Sequence, residues 1–229
     1  MSEFFLELFT EEMPPALQKS AKEDLLQIFK DFLNQKNIAY HKINFSISTP
    51  NRLIIYFKSI QKEFSKKSEE IRGPRTNLDK ASVEGFLKSK NITKKNIFIK
   101  NTKKGEFYFY KTPSINIKTK EVLKENIPLL LQKIKWKKSM RWAYNDQKWS
   151  RPIKSILGIF ENKKLAFQFA GINCNFFTYG NYHYSKKKIK CINFEVYKSQ
   201  LKKLHVTLNP KERKNKILNN LEEFCRNNN

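Results

Sequence analysis

Residues 3–9, Glu-Phe-Phe-Leu-Glu-Leu-Phe, are the segment that most constrains the fold, because five of the seven positions are apolar. Such a short run without regular polar alternation is typical of a strand that is buried on both faces. Pro14 and Pro15 follow closely and suit the first turn of a helix, where no backbone donor is needed. The segment therefore predicts a buried strand that leads into a helix.

The predicted helix is amphipathic. Its apolar residues recur at spacings of three and four, which places them on one stripe: Leu17, Ala21, Leu25, Ile28 and Phe32. We expect this helix to end near residues 34–37.

The remaining elements lack a regular strand–helix–strand alternation. Strands are expected over 39–48, 52–60, 153–160, 164–170, 174–178 and 205–208, with a hairpin over 96–112. Helices are expected over 80–89, 119–134, 194–203 and 210–225, the last of them burying Ile217, Leu218, Leu221 and Phe224. This order favours an α+β fold with mixed or antiparallel sheets and packed helices, in one large or two small lobes. The charged stretch 61–80 could separate sub-lobes 1–60 and 81–229.

The charge of the chain is strongly positive, with 46 Lys and Arg against 21 Asp and Glu and a net charge of +25. A basic protein of this kind attracts polyanions, because cations near phosphates release counterions. However, only seven of the basic residues are arginine. A surface filled with Lys and Asn also fits an AT-rich genome, so the charge alone leaves a nucleic-acid partner and compositional drift as alternatives.

Several classes of chemistry have no support in the sequence. Cys174, Cys191 and Cys225 lie far apart and form no CxxC pair, so neither a zinc site nor a disulfide framework is expected. Neither a Gly-rich phosphate loop nor a GxSxG nucleophile motif is present. The chain shows no basic signal-peptide start and no apolar run near the roughly 18 residues of a membrane span. We therefore expect a cytoplasmic protein without membrane contact, and not a free-standing enzyme.

Residues 135–152 combine all three tryptophans with two arginines and four lysines. Indole rings and guanidinium groups can stack on bases, and cations can bind phosphates. Lys138, Arg141, Trp142 and Arg151 are therefore candidate contacts for a nucleic acid. The alternative is that the indoles anchor the core and the arginines bind backbone carbonyls.

Seven short segments, taken in order, resemble the N-terminal region of the β subunit of bacterial tetrameric glycyl-tRNA synthetase. Each is weak alone, but together they extend over almost the whole chain. The segments are Phe5-Leu-Glu-Leu-Phe-Thr-Glu-Glu-Met-Pro-Pro15, Thr49-Pro-Asn-Arg-Leu53, Arg72-Gly-Pro74, Glu84-Gly-Phe86, Thr102-Lys-Lys-Gly-Glu106, Lys138-Ser-Met-Arg-Trp142 and Arg151-Pro-Ile153. Thr178-x-Gly180 also fits the family, but the following Asn181-Tyr182-His183 lacks an Arg that the family usually shows there.

The resemblance implies an accessory role in an α2β2 ligase that uses ATP with Mg to attach glycine to tRNA(Gly). It places catalysis on the α subunit, so neither catalytic residues nor a bound cofactor are expected here. It also implies that residues 1–229 correspond to the N-terminal third of a β subunit and end before its HD-type and anticodon-binding domains.

Two hypotheses of different classes follow. In the first, the chain docks on the α subunit and contacts tRNA, with candidate contacts Arg52, Arg72, Lys138, Arg141, Trp142 and Arg151. In the second, the chain is a structural assembly module without direct RNA contact, and its lysines reflect genome composition. A truncated remnant without a partner is a third interpretation.

Overall fold

The computed structural model describes residues 1–66, 68–142, 146–185 and 187–228. These residues form two compact units, and the expected α+β class is confirmed. The first unit combines Met1–Lys62 with Lys118–Asn229, and the second is Glu63–Ile117.

The described residues of the first unit form four helices and most of the strands. Its elements are β1 (Ser2–Thr10), α1 (Pro15–Gln35), β2 (Asn44–Thr49), β3 (Arg52–Ile60), α3 (Thr119–Gln132), β9 (Ile153–Phe160), β10 (Lys163–Lys164), β11 (Gln168–Phe169), β12 (Ile172–Asn175), β13 (Phe177–Tyr179), β14 (Lys188–Lys190), α4 (Phe194–Lys203) and α5 (Pro210–Asn227). The second unit contains β4 (Glu63–Lys66), β5 (Glu70–Arg75), α2 (Lys80–Lys90), a 3-10 turn (Lys94–Asn96), β6 (Ile97–Thr102), β7 (Gly105–Lys111) and β8, which ends at the unit boundary (Ile115–Lys118).

This division differs from the sub-lobes 1–60 and 81–229 suggested by the sequence. The reason is that β1 pairs with both β3 and β9, so both ends of the chain contribute to one sheet. The charged stretch 61–80 instead enters an insertion. The backbone N–H of Thr119 donates to the carbonyl oxygen of Lys62 at 2.8 Å, so the two ends of the inserted unit lie side by side.

The main sheet has the strand order β11-β12-β9-β1-β3-β2, with β10 added beside β9. Its pairs are antiparallel except for β12 with β9. The expectation that residues 3–9 are buried on both faces is confirmed, since the side chains from Phe4 to Leu8 are buried.

Neighbouring side chains of β1 contact helices on opposite faces of the sheet, as strand alternation requires. Phe4 stacks with Phe29 of α1 at 5.7 Å between ring centroids. Phe5 instead meets Phe194 and Tyr197 of α4 at 5.8 and 5.4 Å. The main sheet is therefore a central layer between α1 and α4, and residue 7 of β1 shares the α4 face with Phe5.

The second unit consists of the sheet β5-β7-β6 with α2, and a separate β4-β8 ribbon. The expected hairpin over 96–112 is confirmed as β6 and β7. A Cβ atom on Gly73 would lie 2.9 Å from Cε1 of Phe86, so only glycine allows α2 to approach β5 this closely. This single packing contact therefore explains Gly73 in segment 72–74 and Phe86 in segment 84–86, two of the segments that carry the resemblance.

Further expectations about individual elements were wrong. Residues 164–170 form no single strand, because β10 ends at Lys164 and β11 begins at Gln168. Residues 205–208 form no strand, and His205 has a positive φ of 59° that interrupts extended backbone. The apolar side of α5 is not buried: the exposed fractions of Ile217, Leu218, Leu221 and Phe224 are 59, 44, 56 and 66%. Helical spacing predicts that these residues share a face, but it cannot show that another element covers it. In the part of the chain that the structure describes, no helix is both long and apolar enough to cross a membrane.

Candidate functional site

A buried ion pair lies at the centre of the first unit, between the neighbouring strands β1 and β3. Nε of Arg52 is 3.3 Å from Oε2 of Glu7, and both side chains are almost fully enclosed, with 2 and 1% exposure. A buried ion pair needs further hydrogen bonds to offset the loss of hydration. The surrounding groups supply them.

The Glu7 carboxylate accepts hydrogen bonds from two hydroxyl groups. Oγ1 of Thr178 donates to Oε1 at 2.6 Å, and the phenol of Tyr197 donates to Oε2. Burial raises the pKa of Glu7, while the Arg52 charge and the two hydroxyl donors act in the opposite direction. Burial and the negative charge of Glu7 also raise the pKa of Tyr197 well above its ordinary value. The phenol therefore stays protonated and remains a donor to the carboxylate.

The Arg52 guanidinium ties the β2–β3 turn to the segment after β13. It donates to Oδ1 of Asn51 at 2.9 Å, to the carbonyl oxygen of Gly180 at 3.3 Å and to that of Tyr179. Its guanidinium carbon also lies 4.7 Å from the centroid of the Phe9 ring. Because its donors are directed inward, Arg52 has a structural role, and we remove it from the candidate RNA contacts. For an arginine at the start of a strand, the sequence alone does not show whether the side chain points into the core or into the solvent.

A cavity of about 720 Å³ opens beside the residues that Arg52 contacts. It brings together parts of four segments that carry the family resemblance, namely those at 5–15, 49–53, 151–153 and 178–180. Its lining residues are Phe9, Thr10, Glu11, Glu12, Asn51, Arg151, Lys154, Tyr179, Gly180, Tyr182, His183 and Ser185. Backbone hydrogen bonds join the same segments, from Thr10 to Asn51 at 2.9 Å and from Glu11 to Pro152 at 3.0 Å.

The tryptophan-rich segment divides between core and surface. Trp149 is 1% exposed and packs edge-on against Trp136 and Phe169 at 4.9 and 5.4 Å. Trp149 therefore anchors the core, with the half-buried Trp136 packed against it, as the alternative interpretation of the sequence proposed for the indoles. A backbone bridge between Met140 and Trp149, with N···O distances of 2.8 and 3.1 Å, joins the two halves of the segment.

The exposed candidates flank this bridge. Lys138 and Arg141 are exposed and Trp142 is half-buried, just before residues 143–145, which lie outside the described residues. Arg151 is half-buried at the edge of the cavity, and its Nη1 donates to the carbonyl oxygen of Ser150 at 3.0 Å. The bridge thus places Arg141 and Arg151 on adjoining backbone segments.

Arg72 belongs to the second unit. It is exposed on β5, with its guanidinium carbon 3.6 Å from the centroid of the Phe107 ring. The candidate contacts that remain are therefore divided between the two units: Arg72 in the second, and Lys138, Arg141, Trp142 and Arg151 in the first.

The network around Glu7, including Thr178 and Tyr197, was not predicted from the sequence. One signal was present: Glu7 is the only charged residue within the apolar run 4–9. A carboxylate inside a doubly buried strand needs a cationic or donor partner. The sequence could have indicated that a partner exists, but not that two of them lie more than 170 residues away. Within the described ranges, no group of three or more His, Cys, Asp or Glu side chains is placed to hold a metal ion.

Comparison with known proteins gives a consistent result. A family model described as "Glycyl-tRNA synthetase beta subunit" matches residues 4–229. A "Glycine--tRNA ligase beta subunit" from Rickettsia canadensis (strain McKiel) is 34% identical over 225 residues, which are 98% of this chain and 33% of the relative. One from Rickettsia bellii (strain OSU 85-389) is 35% identical over 223 residues, 97% of this chain and 34% of the relative. The chain spans about a third of the length of these relatives. It belongs to the glycyl-tRNA synthetase beta subunit family.

Proposed function

We propose that this chain acts as the N-terminal region of a β subunit of glycine–tRNA ligase. In this role it assembles with an α subunit, contacts tRNA(Gly) and so contributes to the ATP-dependent attachment of glycine. The match of the family model over residues 4–229 carries the proposal. Catalysis, with ATP and Mg, belongs to the α subunit of a cytoplasmic α2β2 assembly, and this chain binds no cofactor of its own.

The assembly part is tested by co-expression with a glycyl-tRNA synthetase α subunit. We expect the two chains to co-purify, and we expect glycine attachment to depend on the α subunit. The matched controls are each chain assayed alone for formation of glycyl-adenylate from glycine and ATP. Formation of glycyl-adenylate by this chain alone would contradict the proposed division of labour.

The tRNA part is tested by charge reversal next to the Met140–Trp149 bridge. Arg141 and Arg151 lie on adjoining segments, and each phosphate contact adds about 0.7 to 0.9 to the slope of log affinity against log salt. We expect R141E/R151E to weaken tRNA binding and to reduce that slope. The matched control is K211E/K214E, which reverses two charges at the start of α5 in the same unit. Equal effects of the two variants would remove Arg141 and Arg151 from the interface.

The structural assembly module stays a second candidate, because the apolar side chains Ile217, Leu218, Leu221 and Phe224 of α5 are exposed in the structure. Exposed apolar patches of this kind mark contacts with other proteins. Co-purification with the α subunit without any tRNA shift at moderate salt would favour this second function.

A further inference from the structure

The second unit carries two arginines on one aromatic ring. The guanidinium carbons of Arg72 and Arg75 lie 3.6 and 5.4 Å from the centroid of Phe107. The two carbons can therefore be no farther apart than the sum of these distances. Both arginines are exposed, whereas the ring beneath them is only 3% exposed.

A β-bulge is responsible for this juxtaposition. Residues three apart on a regular strand point to opposite faces of the sheet. Between Arg72, which pairs with Phe109, and Arg75, which pairs with Phe107, the register shifts by one residue. The extra residue lies within Gly73-Pro74, and bulges of this kind re-aim a side chain. The local backbone therefore brings both cations to the same side of β7.

The two cations have no anionic partner among the described residues. The ion pairs of the described residues include neither Arg72 nor Arg75, and no hydrogen bond of either guanidinium occurs there. The nearest cation on β6, Lys100, is instead paired with Glu70 at 2.6 Å. Stacking on an aromatic face uses the flat side of a guanidinium and leaves the N–H groups at its edge free to donate.

Two neighbouring positive charges without a counter-ion repel each other, and an anion that bridges them removes this cost. A backbone phosphodiester has two non-bridging oxygens in a tetrahedral arrangement, so each can accept from one of the two planar forks. A single carboxylate side chain would satisfy one fork, and lysines would lack the fork geometry.

We propose that Arg72 and Arg75, held by Phe107 and the Gly73-Pro74 bulge, form a clamp for one phosphate of an RNA backbone. The clamp recognises the charge and shape of the RNA backbone but not the base sequence, because phosphate contacts position an RNA without identifying its bases. It rests on the proposed function in one respect: the RNA that it would meet in the assembly is tRNA(Gly).

The test measures binding of the full chain to a tRNA(Gly) transcript and to an RNA hairpin of unrelated sequence over a range of salt. We expect R72A/R75A to weaken both complexes by about tenfold at 0.1 M salt and to reduce the salt slope by roughly 0.7 to 0.9, the contribution of one phosphate. R72K/R75K keeps the charge but lacks the fork, so we expect a loss of roughly threefold. This second variant keeps the test decisive if the alanine variant is unstable.

The matched control is K88A/K90A, which removes two exposed cations from the last turn of α2 in the same unit. Charges away from the RNA are screened by salt, so we expect a change of less than about twofold. If R72A/R75A and R72K/R75K bind like the wild type, or if R72A/R75A matches the control, the clamp is wrong. Loss of binding to the tRNA alone, with the unrelated RNA unaffected, would also overturn it.

The outcomes separate the clamp from the proposed function. If the wild-type chain shifts neither RNA, the clamp is overturned, while co-purification with the α subunit still decides the assembly role. If the arginine variants keep full RNA affinity and the chain still supports glycine attachment, only the clamp fails.

Discussion

Glu7 and Arg52 show how a single charged residue in an apolar strand determines contacts far along the chain. The carboxylate receives one cation and two hydroxyl donors, supplied by β3, β13 and α4. An apolar strand with one carboxylate predicts that such partners exist. The identity of these partners depends on contacts between residues far apart in the chain, so only the structure shows which residues they are.

We expect E7Q to destabilise the first unit strongly. The substitution leaves the Arg52 guanidinium buried without a counter-charge, which costs about 3–5 kcal/mol. Chemical denaturation followed by circular dichroism measures the change. E12Q is the control, because Glu12 is exposed and a surface substitution changes stability by less than about 0.5 kcal/mol. Equal midpoints for E7Q and the wild type would mean that the ion pair does not stabilise the fold.

The three cysteines should differ sharply in reactivity. Burial raises the pKa of Cys174 and of Cys191 to about 12, whereas Cys225 is exposed on α5. The thiolate is the reactive form, so at pH 8 both buried thiols stay protonated as well as enclosed. Titration with a chromogenic disulfide reagent should show one fast thiol in the native protein and three in denaturant. Two or three fast thiols without denaturant would contradict the buried positions.

At the scale of elements, local sequence patterns predicted most helices and strands. They did not predict which faces of these elements are covered by other elements. The apolar stripe on α1 and the hairpin β6–β7 were predicted because the spacing of apolar residues that indicates each of them lies within a short stretch of sequence. The short strands β4 and β8 were missed, because their pairing joins residues about 50 positions apart. The apolar face of α5 was predicted correctly as a face and wrongly as a buried one.

Substitution of this face provides a clear test. We expect I217S/L221S/F224S to change the free energy of unfolding by no more than about 1 kcal/mol, because the side chains are already exposed in the folded state. L25A in α1 is the comparison, since it removes a fully buried side chain and should cost about 2–5 kcal/mol. A loss from the serine variant as large as that from L25A would show that the face is covered in solution.

At the scale of the whole molecule, the second unit is an insertion whose ends meet at the Lys62–Thr119 hydrogen bond of 2.8 Å. Replacement of residues 63–117 by a short Gly-Ser linker should therefore leave the first unit folded. We expect one cooperative unfolding transition and an unchanged burst of thiol reactivity from Cys225 alone. Exposure of Cys174 or Cys191 in the deletion variant would mean that the first unit needs the insertion to fold.

The contact between Glu7 and Tyr197 also has a consequence for synthesis on the ribosome. All of the strands of the insertion exist once residue 118 has been made, whereas the first strand of the main sheet must wait for its partners in β9 and α4. During translation, β1 can therefore pair with β3 but not yet with β9, and the face that α4 covers stays open, while the later-made insertion can already be completed. Limited proteolysis of ribosome-bound chains stalled when residue 118 has just left the ribosome should find the insertion protected and residues 1–62 still cleavable. Protection of both segments at that length would show that the nascent sheet is completed in another order.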